Sequence, residues 1–473
     1  MIFSTVTFLL YFFPLFFFIY YCSPKQLKNI AILLGSIIFY SWGAPKFIFV
    51  ILISTYVDFY IVKKLHSTYN TQTRKLFLSL SVFINLGLLG YFKYANFFVD
   101  NLNVLFYSFG LSSISWAHVA LPIGISFYTF QTLTYSIDVY RKKAKPLDNV
   151  SDYMLYIMSF PQMIAGPIVR FNSIASQIIN REECFDDKLI GFYRFCIGLS
   201  KKVLIANVMA EQADLIFGSD FQNLNIAEAW IGMLAYTFQI YFDFSGYSDM
   251  AIGLGKMLGF KFPENFNSPY VSKSISEFWR RWHITLGDFM RDYLYIPLGG
   301  NRVNSKYRLF INLWIVFLLS GLWHGAEWNF VLWGIYHGLF LILDRLFLIS
   351  LLKRLGNTIA TFITFLFVMF GWVLFKIEDA YSINLYFGKL FSFHSEFDVV
   401  AKTEFWFILV LAVIFSFFVN LKTGRKIKNY FFNKESYRLR EHVLLTILSV
   451  VLFVLCLSSI TSSNFNPFIY FRF

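Results

Sequence analysis

The chain has 473 residues, 57% of them hydrophobic, 21% aromatic and only 15% charged, with a formal net charge of +13 and a mean hydropathy of +0.57. That balance is too apolar for a soluble protein of this length and predicts an all-α, polytopic integral membrane protein. The positive charge then records loop orientation across a bilayer and gives no reason to invoke nucleic acid, and the four scattered cysteines, Cys22, Cys184, Cys196 and Cys456, lack the spacing of a metal site or disulfide framework.

The first apolar run, Phe3 to Tyr21, has no basic residue before it and no small-residue cleavage site after it, so it reads as a retained span. Asn29 to Gly43, Phe47 to Val62, Leu76 to Val99 and Trp116 to Tyr140 follow. Later runs are Leu189 to Val208, Ile226 to Leu254, Leu309 to His324, Trp328 to Ile349, Ile359 to Phe375, Phe405 to Leu421 and His442 to Ile460. These lengths predict about a dozen crossings.

Lys25 and Lys28, then Lys63, Lys64, Arg74 and Lys75, then Arg141, Lys142, Lys143 and Lys145 fall on one side if the N-terminus is outside. Lys and Arg in short loops resist translocation, so that side is cytoplasmic. The connection from Asp100 to Ser115 has no Lys or Arg and reads as an outer loop. The dense run Lys422, Arg425, Lys426, Lys428, Lys434, Arg438 and Arg440 returns inside, whereas the segment from Glu378 to Glu404 and the C-terminal tail lie outside.

Two segments fit no crossing. Tyr153 to Val169 carries Pro161, Gly166 and Pro167, and Val271 to Gly300 carries Arg280, Arg281, His283, Asp288, Arg291 and Asp292. Broken backbone at membrane depth is tolerated only where protein or a water-filled cavity satisfies it, so re-entrant or interfacial helices around a central tunnel are expected. No repeat or long linker divides residues 1–473, which are read as a single membrane-embedded domain.

Polar residues crowd into the stretch from Ser276 to Gly338. Ionisable groups at bilayer depth are costly and persist mainly where they face a cavity. His324 ends one apolar run and is followed by Gly325 and Ala326, where a substrate can approach closely. A neutral imidazole takes a proton from a hydroxyl and returns it to a leaving thiol, which suits acyl transfer. A hydrogen-bonded structural histidine is the other reading, and His337 poses the same choice. His283 lies among Arg280, Arg281 and Arg291, a neighbourhood suited either to a phosphorylated donor or to anchoring lipid headgroups. Asp243 and Asp249 form a further intramembrane polar island: a proton path, an ion site or a buried lock. No nucleophile elbow, zinc-protease motif or phosphate-binding loop occurs.

The order of Leu121 to Gln131, Phe160 to Arg170, Tyr241 to Asp249, Phe278 to Arg302, Gly321 to Ala326 and Phe468 to Phe473 resembles the membrane-bound O-acyltransferase family, in its bacterial alginate and peptidoglycan O-acetylation branch. The resemblance covers nearly the whole chain. It implies that His324 is the catalytic histidine, that His283 occupies a second catalytic position, and that acetyl-coenzyme A binds near Arg280, Arg281 and Arg291. It further implies no metal and no permanently bound cofactor. The acetyl group is expected to cross a bacterial cytoplasmic (inner) membrane, with membrane lipid around the chain, to an extracytoplasmic partner of the SGNH-hydrolase type that places it on a polysaccharide, either peptidoglycan or an alginate-like glycan. A lipid- or protein-directed acyltransferase of the same family, and a secondary transporter using Asp243, Asp249 and His337, are the alternatives. The aromatic tail Phe465 to Phe473 is expected to pack on the outer surface and help dock the partner.

Overall fold

Apolar segments in a bilayer have no water to satisfy their backbone, so they close their hydrogen bonds within helices. The structure, a computed structural model, describes residues 1–392, 399–463 and 465–469, and among these there is no strand. Among the described residues six helices are long and apolar enough to cross a membrane: Thr71–Ser108, Lys306–His324, Trp328–Leu355, Asn357–Lys376, Thr403–Asn420 and Leu439–Ser462, with Thr7–Cys22 a shorter apolar helix. The chain is thus an all-helical, multi-pass membrane protein. Other expected crossings are helical too, including Lys28–Gly43, Ile48–Ser67, Ile125–Tyr140 and Ile226–Met257. Several carry more polar side chains: Ile226–Met257 buries Gln239, Asp243, Ser245, Ser248 and Asp249.

Two boundaries differ from the sequence reading. Thr71–Ser108 runs unbroken through a π-helical turn at Gly90–Tyr94, so the connection expected over Asp100 to Ser115 shifts to 109–124. The helix expected from Trp116 begins at Ile125. Its start is fixed by Gly124, whose φ is +77° and where a Cβ would lie 2.7 Å from the Met163 carbonyl oxygen. Only glycine fits both demands.

The broken segments are short helices as expected: Val150–Met158, Phe160–Met163 and Phe171–Ile179 in one region, Ile275–Arg281 and Ile284–Phe289 in the other. The helices pack as two compact units, the first made of Met1–Cys184 with Leu258–Phe262, the second of Phe185–Met257 with Pro263–Phe473. Inside the first, Asp58 accepts hydrogen bonds from Ser81, Asn85 and Tyr153, tying three helices at one buried carboxylate. Inside the second, a core of Phe238, Tyr241, Tyr270, Phe278, Trp282, Trp333 and Trp372 surrounds the candidate catalytic side chains.

Candidate active site

The Lys306–His324 helix starts at Ser305, whose side chain accepts from the Tyr307 N–H, and stops where Gly325 turns to extended backbone. Trp328–Leu343 returns beside it. The two helices touch through backbone: a Cβ at Gly321 would lie 2.2 Å from the Phe330 carbonyl oxygen, and one at Gly334 would lie 2.6 Å from that of Phe317. Small residues allow such an approach in membranes, and it sets the position of His324 three residues further on.

His324 is 5% exposed. Its ring packs against Trp323, Trp333 and Phe375 at centroid distances of 5.0, 5.1 and 5.2 Å. His283 is 1% exposed and sits at φ 44°, a left-handed conformation that side chains rarely adopt. Asn265 holds it there. The Asn265 carbonyl accepts from the Ile284 N–H, and its Oδ1 accepts from the Thr285 N–H at 3.3 Å and the Thr285 hydroxyl at 2.9 Å.

That arrangement fixes the His283 tautomer. Nδ1 of His283 lies 3.0 Å from Asn265 Oδ1, an atom already accepting two hydrogen bonds, so Nδ1 carries the proton and donates. Nε2 is left with its lone pair, and it has no hydrogen-bond partner among the described residues. A basic nitrogen is therefore presented to the interior. The indole of Trp323 lies beside both imidazoles, 5.9 Å from His283 and 5.0 Å from His324. The structure thus brings together the two histidines that the sequence reading singled out.

His337 joins the same aromatic string, 4.9 Å from Trp333 and 5.0 Å from Trp279. It is fully buried, and neither ring nitrogen has a hydrogen-bond partner among the described residues.

The three arginines are dispersed in their commitments. Arg281 pairs with Glu277 at 2.8 Å and donates to the Asn267 carbonyl. Arg291 pairs with Asp288 at 2.8 Å and Asp292 at 2.7 Å. Arg280 is exposed. Among the described residues no cluster of three His, Cys, Asp or Glu is placed to hold a metal ion.

The polar island proves to be a lock. Asp249 is held by Arg194 at 2.7 Å and Lys201 at 2.6 Å. Asp243 pairs with Lys202 at 2.8 Å, both side chains 2% exposed. The described part of the tail closes on that pair: the Ile469 N–H donates to Asp243 Oδ2 at 2.9 Å, Lys202 donates to the Pro467 carbonyl, and Phe468 stacks on Tyr247 at 4.8 Å. Phe468 and Ile469 are buried in the chain's own interior and do not lie on its outer surface as the composition suggested. Tyr470, Phe471, Arg472 and Phe473 lie outside the described residues. Pro467, Phe468 and Ile469 wall a small chamber of about 50 Å³ together with Phe330 and Phe375, and Phe375 is one of the rings against His324.

Asn265, Lys201, Lys202 and Arg194 were not singled out by the sequence reading. The two lysines had a signal, since they fall inside the apolar run Leu189 to Val208. Asn265 had none, being 18 positions from the histidine it holds.

The family model described as MBOAT, membrane-bound O-acyltransferase family, matches residues 37–376. The chain belongs to the membrane-bound O-acyltransferase family. It is 44% identical to the probable alginate O-acetylase AlgI of Pseudomonas aeruginosa, over 83% of this chain and 75% of that one. Against the protein of the same name from Pseudomonas putida it is 39% identical over the full length of both. A peptidoglycan O-acetyltransferase of Helicobacter pylori is 37% identical, over 80% of this chain and 77% of that one. The chain is accordingly a membrane-bound O-acyltransferase, and both His283 and His324 lie inside the matched region.

Proposed function

We propose that this O-acyltransferase takes acetyl from cytoplasmic acetyl-coenzyme A and passes it through the core at His283 and His324 toward an extracytoplasmic polysaccharide, of the peptidoglycan or alginate-like class, in a bacterial cytoplasmic membrane. An SGNH-type partner outside makes the final placement. The observation that carries this reading is the pair of buried imidazoles flanking Trp323, one of them with its basic nitrogen presented inward. The names of the relatives support the acetyl group and the glycan.

The chemistry needs one proton moved. As an acceptor hydroxyl attacks the thioester carbonyl carbon, a neutral imidazole takes its proton. The C–S bond breaks as the tetrahedral intermediate collapses, and the imidazolium returns the proton to the departing thiolate. Burial among indole and phenyl rings excludes water that would otherwise hydrolyse the thioester. A transporter reading loses its two carboxylate ligands, because Asp243 and Asp249 are each held by cations of the chain itself.

The fate of labelled acetyl tests the proposal. In cells or vesicles supplied with labelled acetyl-coenzyme A, label is expected in polysaccharide; label confined to lipid or protein, or solute flux without coenzyme A release, rejects it.

On the donor side, replacing Arg280 and Arg281 together by Gln is expected to raise KM for acetyl-coenzyme A while kcat holds. Phosphate contacts made equally in ground and transition states act that way. Since Glu277 already neutralises Arg281, Arg280→Gln alone carries most of the effect. An unchanged KM in steady-state assays instead makes these arginines headgroup anchors.

A further inference from the structure

A cavity of about 1540 Å³ lies within the second unit; Arg281 and Ile284, which flank the Trp282–His283 pair in sequence, line one part of it. Its long wall is apolar and is built from Phe362 and Phe365 on one membrane helix, Phe407, Leu411 and Phe415 on the next, and Leu448 on Leu439–Ser462. Phe362 and Phe407 are 60% and 64% exposed, so this wall is a cleft between membrane-crossing helices and not a sealed core. It extends from Glu404 at one end of the Thr403–Phe417 helix to Phe417 at the other. Ordinary small-molecule pockets enclose about 300–1,000 Å³, and a cleft larger than that, walled by phenyl and aliphatic groups at bilayer depth, suits acyl chains better than a soluble metabolite.

One end of the cleft is cationic. Lys428 and Arg425, from the Lys422–Phe432 helix that joins the two spans, line it together with Lys201 and Arg281. The carboxylates nearby are already committed, Asp249 to Arg194 and Lys201 and Glu264 to Arg194. Among the described residues Lys428 has no carboxylate in ion-pair distance; it donates to Asn267 Oδ1 at 2.6 Å and Ser268 Oγ at 3.1 Å. Burial first, then the charges of Lys201 and Arg281, push its ammonium down to about 8, against the pull of Glu264 and Asp249. Arg425 is exposed. The distribution of Lys and Arg places this end at the cytoplasmic face, where anionic headgroups attract basic segments.

We infer that the cleft binds one anionic phospholipid of the cytoplasmic leaflet, its phosphate at Lys428 and Arg425 and its acyl chains along the Phe362, Phe407 and Phe415 wall. The apolar wall demands chains and the uncompensated cations demand an anion; a phospholipid supplies both in one molecule. The inference does not depend on which acyl group the enzyme transfers.

Native mass spectrometry of the detergent-purified full chain, delipidated and then offered phosphatidylglycerol or phosphatidylcholine with the same acyl chains, tests it. One phosphatidylglycerol per chain is expected to be retained in preference to phosphatidylcholine. Arg425→Gln is expected to weaken retention about fivefold and the Lys428→Gln, Arg425→Gln double variant about twenty-five-fold, with phosphatidylcholine unaffected, as loss of about one interfacial cationic contact each implies. Arg425→Gln breaks no hydrogen bond or ion pair described here, which keeps the test valid if the double variant folds poorly. Leu411→Trp, which fills the apolar wall, is expected to lower retention of both lipids. Equal retention of the two lipids by the native chain, or unchanged retention in Arg425→Gln, overturns the inference. So does displacement of bound lipid by glycerol 3-phosphate, which would mark a simple anion site, or by coenzyme A, which would mark the donor's route.

Discussion

His324→Ala is expected to lower coenzyme A release and acetyl transfer by about two to four orders of magnitude, the range for removing one general acid or base, while the protein still inserts and purifies normally. The imidazole makes ring contacts with Trp323, Trp333 and Phe375, which truncation to a methyl group removes. His324→Gln, closer in volume, separates the two effects: it is expected to fold like the native protein and to be as inactive as the alanine variant. Steady-state turnover in proteoliposomes, read beside a thermal unfolding curve, checks both. Near-normal turnover in a well-folded variant moves the base elsewhere, with His283 and its inward Nε2 the next candidate.

The largest stability effect is expected at the Lys202–Asp243 pair. Both side chains are 2% exposed, and removing one member of a buried pair leaves the other charge uncompensated, at a cost of about 3–5 kcal/mol. Lys202→Met should therefore lower the unfolding midpoint sharply. It also removes the donor to the Pro467 carbonyl and to Asn207 Oδ1, so the tail loosens with it. The double variant Lys202→Met, Asp243→Asn is expected to recover part of the loss, because no bare carboxylate remains. A double variant as unstable as the sum of its two singles shows instead that the cost lies in packing. Unfolding monitored in detergent, with protease sensitivity of the tail as a second readout, distinguishes these outcomes.

Much of the architecture is legible in the chain because lipid enforces it. Leu309 to His324, Ile359 to Phe375 and His442 to Ile460 were read from apolar length alone and match helices within a few residues. The broken segment with Arg280, Arg281 and His283 was legible for the opposite reason, since its charges could not span. What escaped the reading depends on partners distant in sequence. Nothing near His283 announces that Asn265 fixes its tautomer. Asp243 could be singled out as an anomaly, but Lys202, 41 positions earlier, and Ile469, 226 positions later, decide whether it is a proton path or a lock. The tail misled for a related reason: Phe468 and Ile469 have the composition of a contact surface, and the surface they contact is their own interior.

The backbone contact at Gly321 and Gly334 bears on how such an enzyme can diverge. Where two helices meet through side chains, each substitution nudges the register a little, and a catalytic group at the helix end drifts with it. Here the spacing is set by carbonyl oxygens against glycine, so mutation on the outward faces of the two helices has no lever on the imidazole at the end of the crossing. The small chamber beside Phe375 has a lining of a different kind, in which Asp214, Glu327, Lys376 and Glu378 are charged residues. A lineage can therefore rewrite the charge of the chamber's lining while the imidazole at the end of the crossing stays where it was.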